Sequence, residues 1–219
     1  MAAMPPFGWL RNWRLKAVSV AAGLVLATAL AGAAAAGGPR MLAMPDVRQH
    51  TVYACGAAAL QAVLGYYGID ARQDTLMQKL GTDPKIGTRW WEIERIAGEY
   101  GLKAADQEHM TLADLVRFID RGIPVIIALQ AWVEVPAGAP KAWEERTEDG
   151  HYLVTTGYDE TNIYFEDPAM FGIGYIPRAE LDARWHDFDE YGWRLEHFGI
   201  AFESPKGLYD YEHTLIRIE

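Results

Sequence analysis

The chain has 219 residues, of which 50% are hydrophobic and eight are tryptophan. This length allows one globular domain with a substantial core, and the composition excludes an intrinsically disordered protein. The formal net charge is −10, and no basic stretch could neutralise a phosphate backbone, so nucleic acid is not expected as a partner. The sequence has no GxxxxGK[ST] phosphate loop, so nucleotide hydrolysis is not expected either.

The first 36 residues differ in composition from the rest of the chain. Arg11, Arg14 and Lys16 precede an uncharged run rich in Ala, Val and Leu over residues 17–36. A basic flank, an apolar stretch and an exit of small residues are typical of a secretory signal peptide. The alternative is an uncleaved membrane anchor, because about 20 residues can span a bilayer.

We therefore expect export to the periplasm or the medium, with residues 37–219 forming a single mature domain. Contact with the membrane is expected only through an uncleaved N-terminal segment. Cleavage after residue 36 would remove three of the 20 Lys and Arg residues and none of the 30 Asp and Glu residues, which leaves a formal charge of −13.

Cys55 is the only cysteine, and it begins a predicted helix. Apolar residues recur after it at three- and four-residue steps as far as Tyr67, and Gly68 ends the run. The free N–H groups and the dipole of a helix N-terminus favour a thiolate over a thiol. An odd cysteine in an exported protein suggests a reactive thiol or an intermolecular bond. The segment predicts the nucleophile of a cysteine-dependent acyl-transfer site.

The remaining chain divides into a helical half and a strand-rich half. Helices are predicted over residues 55–67, 70–80, 89–100 and 111–120. The fourth helix opens with a capping box, Thr111 to Asp114. Strands are predicted over residues 123–133, 151–158, 162–166, 172–176 and 197–202, with a short helix over residues 179–184. Helices followed by an antiparallel sheet indicate an α+β fold.

A thiolate nucleophile needs a base, usually a histidine, and a third group that orients the imidazole. His151 follows Gly150 at the start of a predicted strand, and Asp167 follows the next strand. The other five histidines are interpreted as surface or structural residues: His50, His109, His186, His197 and His213. The alternative is that His151 and Asp167 are ordinary polar residues at strand ends.

The turn between these two strands decides whether His151 and Asp167 can meet. A three-residue turn would pair Tyr158 with Asn162 and place Asp167 opposite Leu153, on the face that carries His151. A two-residue turn would put the two side chains on opposite faces. A triad therefore requires an odd-length turn or a β-bulge.

Two further segments are candidates for substrate contacts. The Gln49 amide and the Cys55 N–H would supply two donors to the oxyanion of a tetrahedral intermediate, although Gln49 could equally be a plain loop residue. The segment 132–149 contains Trp132 and Trp143 and leads to Gly150. We expect these three residues to bind substrate on one wall of the cleft; a solvated surface loop is the alternative.

Several motifs resemble the papain-like cysteine peptidases that process the double-glycine leaders of bacteriocins. They are Gln49-x5-Cys55-Gly56, an Ala-rich helix ending in GYYG, and the segments GHYLVTTGYD, IYFEDP and YIPRAELDARWHD. The resemblance covers residues 44–202 and is greatest to stand-alone exported members. It implies a papain-like fold and a peptide or protein substrate, and the chemistry needs no cofactor or metal.

The resemblance also implies a role for each site residue. Cys55 is the expected nucleophile, His151 the base and acid, Asp167 the orienting carboxylate and Gln49 the oxyanion donor. The bacteriocin transporters join this peptidase to a membrane domain and an ATPase that this sequence lacks, and leader removal is cytoplasmic. Fold and thiol chemistry are therefore carried over, but leader specificity is not.

The sequence thus predicts an exported cysteine peptidase with a Cys–His–Asp triad. Two alternatives remain open at this point. One is a papain-like acyltransferase or transpeptidase, because an amine or thiol could capture the acyl-enzyme as in phytochelatin-forming enzymes. The other is a non-catalytic peptide-binding module of the cell envelope.

Overall fold

The computed structural model describes residues 38–208. The predicted signal peptide and His213 lie outside the described residues. Within residues 38–208, no helix is both long enough and apolar enough to cross a membrane.

The helices follow the periodicity of the sequence closely. They are α1 (Cys55–Tyr66), α2 (Gln73–Leu80), α3 (Trp90–Glu99), α4 (Leu112–Asp120) and α5 (Arg178–Arg184). The predicted capping box is confirmed, because Thr111 and Asp114 exchange side-chain and backbone hydrogen bonds. Helix α2 starts three residues later than predicted, since Arg72 at its N-cap is extended.

Nine strands and one 3₁₀ turn complete the part of the chain that the structure describes. The strands are β1 (Arg40–Met41), β2 (Lys103–Gln107), β3 (Val125–Gln130), β4 (Gly150–Tyr158), β5 (Asn162–Glu166), β6 (Ile173–Pro177), β7 (His186–Phe188), β8 (Arg194–Glu196) and β9 (Gly199–Glu203). The 3₁₀ turn is Trp143–Glu145. The main sheet is antiparallel in the order β2-β9-β3-β4-β5-β6, with β1 paired to β4, and β7 pairs with β8 separately.

The main sheet is buried on both faces. Ile126 and Val154 point into a core shared with α1, α2 and α3. Ile127 and Leu153, one residue away in each strand, point into a second core closed by Leu181 of α5. This alternation follows from the two-residue period of a strand, and it explains why β3 reads as an unbroken apolar run. The predicted α+β arrangement is confirmed.

Four short or polar strands were not predicted. β2 reads KAADQ and is largely exposed, so only its pairing with β9 makes it a strand. β1, β7 and β8 have two or three residues each. Segments of that length carry no periodic signal, and their conformation depends on a partner distant in sequence.

The turn of the β4–β5 hairpin is not the three-residue turn considered above, but His151 and Asp167 still lie on the same face of the sheet. Tyr158 pairs with Ile163, so the three-residue turn that would have paired it with Asn162 does not form. A register shift between Thr155 and Gly157 then changes the pairing by one residue. The predicted need for an odd turn or a bulge is therefore confirmed, and the bulge meets it.

Candidate active site

Cys55 is the first residue of α1 and is a half-buried free thiol. The first turn of α1 carries no acidic side chain, so no carboxylate opposes the dipole of the helix. Burial alone would raise the pKa of the Cys55 thiol. A hydrogen bond and the positive charge of His151, with the N–H groups of Tyr152 and Gly56, outweigh burial and lower it. The site therefore favours the thiolate.

His151 and Asp167 are buried side by side. His151 Nε2 lies 2.7 Å from Asp167 Oδ1, which leaves Nδ1 as the nitrogen that faces Cys55. Burial opposes the imidazolium, but the hydrogen bonds with Asp167 and Cys55 raise the pKa of His151. The structure thus brings the three residues together: His151 is hydrogen-bonded to Asp167 and lines the same cavity as Cys55.

The carboxylate of Asp167 has donors on both oxygens. Its Oδ1 also accepts from Ala169 N at 2.8 Å, and its Oδ2 accepts from the Trp132 indole at 3.1 Å. Burial raises the pKa of Asp167, but the hydrogen bond and charge of His151, together with these donors, hold it below its ordinary value. Asp167 is therefore an ionised acceptor that orients the imidazole.

The segment that precedes Cys55 is tied to the segment that contains Asp167. Gln49 N donates to Pro168 O at 3.0 Å, and Arg48 Nη2 donates to Ala169 O at 2.7 Å. The Oε1 atom of Gln49 is buried and has no hydrogen-bond partner among the described residues. Gln49 thus lies at the same end of the sheet as the triad, and its oxyanion role stays a prediction.

A cavity of about 410 Å³ contains the thiol and the imidazole. Of the three predicted substrate-binding residues, only Gly150 lines this cavity. Trp132 is 58% exposed and lines a separate cavity of about 400 Å³ beside Asp167. Trp143 is buried, with the Arg184 guanidinium 3.9 Å from its ring centroid.

The predicted cleft wall is thus built by other residues of the same segment. Thr147 and Glu148, just before Gly150, line the cavity in place of the two tryptophans. Tryptophan is readily predicted to contact a ligand because its indole ring is large and amphipathic. Both indoles instead find protein partners, a carboxylate for Trp132 and a guanidinium for Trp143.

The sequence analysis did not identify Asp187 on β7, whose carboxylate lines the Cys55 cavity. Its Oδ1 accepts from Phe188 N at 2.8 Å and from Gln130 Nε2 at 3.2 Å. Burial raises its pKa to about 7, against these hydrogen bonds and the charge of His151.

The position of Gln130 in the sequence could have indicated a polar partner such as Asp187. It ends the apolar run of β3 and is fully buried, and a buried amide requires hydrogen-bond partners. Those partners are Asp149 N at 3.0 Å, on the segment that leads to His151, and the β7 strand. Gln130 thus joins Asp187 to the loop that leads to His151.

Among residues 38–208, no group of three or more His, Cys, Asp and Glu side chains is arranged to hold a metal ion.

Comparisons with known proteins place this geometry in context. The model of the Peptidase_C39 like family matches residues 41–192. The protein YvpB of Bacillus subtilis is 22% identical over 161 residues, which cover 60% of this chain and 64% of YvpB. The chain therefore spans less than two thirds of that relative.

Three solved structures are similar in fold. A double glycine motif protease from an AMS/PCAT transporter, in complex with the leader peptide, has a TM-score of 0.52 at 22% identity, over 75% of this chain and 94% of that one. The peptidase domain of Streptococcus ComA, a bi-functional ABC transporter, has a TM-score of 0.53 at 19% identity, over 72% and 96%. A C39-like peptidase from Bacillus anthracis has a TM-score of 0.55 at 18% identity, over 76% and 98%. These likenesses confirm the predicted papain-like α+β fold.

Proposed function

The chain belongs to the Peptidase_C39 like family, and on this basis we propose that it is an exported cysteine peptidase that hydrolyses peptide bonds with Cys55, His151 and Asp167. The observation that supports the proposal most directly is the buried His151–Asp167 pair, with Nε2 2.7 Å from Oδ1, on the same cavity as the Cys55 thiol. A protein that only binds peptides needs no such combination.

In the proposed reaction, the Cys55 thiolate attacks the carbonyl carbon of a peptide bond and forms a C–S bond. The His151 imidazolium gives its Nδ1 proton to the amine nitrogen as the C–N bond breaks. Water then attacks the thioester, His151 takes its proton, and the C–S bond breaks to release the acid. Asp167 keeps the imidazole in one tautomer and orientation throughout.

The negative oxygen of the tetrahedral intermediate is assigned to the Gln49 amide and the Cys55 N–H. The hydrogen bond from Gln49 N to Pro168 O, 3.0 Å long, supports this assignment because it holds Gln49 beside the segment that contains Asp167. Donors of this kind stabilise charge that develops only in the transition state.

A peptide is the proposed substrate class. The AMS/PCAT protease of the same fold is in complex with a leader peptide. The cavity at Cys55 has a volume of about 410 Å³, which gives room for one or two substrate residues beside the scissile bond. Trp90, Trp91 and Phe188 line it. Aromatic side chains of this kind bind the apolar parts of a peptide.

The thiolate–imidazolium pair is tested by alkylation. We expect iodoacetamide to label Cys55 at pH 6 about 100-fold faster in the wild type than in His151→Ala, because an ordinary thiol is less than about 1% ionised at that pH. His50→Ala, a change at an exposed histidine near the site in sequence, is the matched control. Equal rates in wild type and His151→Ala would overturn the proposed pair.

The oxyanion role of Gln49 is tested by two assays with different requirements. Gln49→Ala should lower turnover of a quenched peptide library about 100- to 1000-fold. The same variant should leave the iodoacetamide rate unchanged, since alkylation forms no oxyanion. A parallel loss in both assays would instead mean that Gln49 supports the thiolate.

Export rests on the composition of residues 1–36. Full-length protein produced in a bacterium should be recovered from the envelope or medium, with a new N-terminus near residue 37. Recovery of an uncut chain from the cytosol would contradict export while leaving the peptidase proposal intact.

A further inference from the structure

The lining of the Cys55 cavity is rich in acidic residues. Four residues that line the cavity carry carboxylates: Glu148, Asp187, Asp189 and Glu190. The cationic side chains of the lining, besides His151, are Lys85 and Arg89. Arg89 is already paired with Glu190 at 2.7 Å, so the acidic groups are in excess.

Asp187 differs from the other three carboxylates in its surroundings. Glu148 is exposed, Glu190 has its arginine, and Asp189 Oδ1 accepts two backbone N–H groups of its own turn. Asp187 is half-buried, and no ion-pair partner for it is found among residues 38–208. Its Oδ2 accepts no hydrogen bond from the described residues, whereas its Oδ1 is held by Phe188 N and Gln130 Nε2.

Asp187 also lies directly against the residue that precedes the catalytic histidine. A Cβ on Gly150 would overlap Asp187 Oδ1 and would lie 2.7 Å from Oδ2, so a side chain at position 150 would displace the carboxylate. The charge of His151 and the hydroxyl of Tyr152 both interact electrostatically with it. The free Oδ2 therefore lies beside the residue that precedes His151, on the cavity that contains the Cys55 thiol.

We propose that Asp187 is a specificity-determining residue that binds a cationic group of the substrate, an ammonium or guanidinium carried next to the scissile bond. The proposal rests on the peptidase function proposed above and names the substrate class of that site. A buried carboxylate with one oxygen fixed and one free is preorganised to accept a charge-assisted hydrogen bond. Trp90, Trp91 and Phe188 supply surface for the aliphatic stem of a lysine or arginine.

The proposal can be tested without a known substrate, because Cys55 is the only thiol of the chain. Two methanethiosulfonates differ in charge, one with an aminoethyl group, whose ammonium can donate hydrogen bonds to a carboxylate, and one with a sulfonatoethyl group. Each forms a disulfide with the Cys55 thiolate and releases methanesulfinate. The ratio of the two rates at pH 8 and moderate ionic strength reports the charge selectivity of the cavity.

We expect Asp187→Asn to lower the cation-to-anion rate ratio about tenfold, as for loss of one charge-assisted hydrogen bond. The asparagine oxygen can still accept from Phe188 N and Gln130, so the fold is retained. Glu148→Gln makes the same charge change on the same cavity at an exposed position and should alter the ratio less than about twofold. An equal effect of the two variants, or an unchanged ratio in Asp187→Asn, would overturn the proposal.

A measurement on the unmodified protein keeps the proposal testable if Asp187→Asn does not fold. n-Butylammonium should protect Cys55 from iodoacetamide at concentrations at which n-butanol does not. Equal protection by the two would overturn the role of Asp187. A His151-independent alkylation rate would instead contradict the peptidase function, so the two failures are distinguishable.

Peptides distinguish the two sources of the cationic group. Matched library peptides carry lysine or norleucine at the positions flanking each bond, with a free or acetylated N-terminus. Faster cleavage of acetylated peptides with lysine than with norleucine would show that Asp187 binds a lysine side chain. Faster cleavage of peptides with a free N-terminus would show that it binds the terminal ammonium. Equal cleavage of all four sets would overturn recognition of a cation.

Discussion

At the scale of the residue, Asp167 is fixed by hydrogen bonds to both of its carboxylate oxygens. Three N–H groups converge on its two oxygens, from His151, Ala169 and Trp132. Trp132 has a positive φ of 60°, a conformation that costs energy for a residue with a side chain. The main chain thus turns sharply after β3 to place the indole against the carboxylate.

This arrangement predicts a coupling between Asp167 and Trp132. In Asp167→Asn the oxygen that faces His151 is kept, but the amide N–H faces the Trp132 indole N–H. We expect the iodoacetamide rate at pH 6 to fall at least about tenfold, as for loss of a hydrogen bond to a charged group. Trp132→Phe alone should cost only a few-fold, because this indole is 58% exposed.

The double variant gives the decisive measurement. Removing the indole N–H relieves the clash of donors, so Asp167→Asn with Trp132→Phe should react no more slowly than Asp167→Asn alone. Strict addition of the two losses would mean that the indole N–H has no direct effect on position 167.

At the scale of elements, the bulge in β4 decides which face of the sheet Asp167 occupies. The pairs Tyr158–Ile163 and Gly157–Tyr164 continue one register, and Thr155–Phe165 begins another. Because side chains alternate along a strand, a shift of one residue moves Asp167 to the face of His151. The bulge lies where β1 also pairs with β4, at Met41–Gly157.

Gly157 allows these strands to approach each other. A Cβ at this position would overlap both Met41 Sδ and Arg40 O, and the backbone oxygen cannot move without breaking β1. Gly157→Ala should therefore lower the free energy of unfolding by about 1–3 kcal/mol, measured by urea denaturation. Gly98→Ala, on an exposed part of α3 with open space around it, should be neutral or stabilising by about 0.5–1 kcal/mol.

At the scale of the whole molecule, folding buries the carboxyl group of Glu166 without an ion-pair partner among the described residues. Glu166 is fully buried; its Oε1 accepts from Val47 N at 3.0 Å and its Oε2 has no partner among the described residues. Burial, opposed by that hydrogen bond and assisted by the nearby charge of Asp167, raises the pKa of Glu166 to about 8.

A carboxyl whose pKa is raised by folding makes stability fall as pH rises. Below its unfolded-state pKa, near about 4.3, Glu166 binds a proton in both states and favours neither. As pH rises towards 8 the unfolded chain releases the proton first, so unfolding becomes easier by up to about 1.4 kcal/mol per pH unit.

We therefore expect the wild type to lose about 1–2 kcal/mol more unfolding free energy between pH 6 and pH 8 than Glu166→Gln does. Urea denaturation at the two pH values measures this difference. Exposed Glu160→Gln should keep the wild-type slope. An identical slope in wild type and Glu166→Gln would mean that Glu166 is ionised in the folded protein.

Much of the fold was predictable because its signals are local. The four long helices are set by three- and four-residue apolar periodicity and by caps such as Thr111–Asp114. The α+β class followed from the change of period along the chain. The order of the strands, the edge strand β2 and the hairpin β7–β8 depend on pairing with distant segments, for which one sequence carries no signal.

The sequence by itself determined which groups the proposed chemistry would use and the family whose motifs they match: one thiol at a helix start, one histidine after a loop and one aspartate after the next strand. Only the tertiary structure decided how these groups meet and what surrounds them. The bulge selected the face of Asp167, Trp132 became its hydrogen-bond donor rather than a wall of the Cys55 cavity, and Asp187 entered that cavity from β7. The reason is physical, since helix periods and caps act within about four residues, whereas these contacts join residues 35 to 57 positions apart.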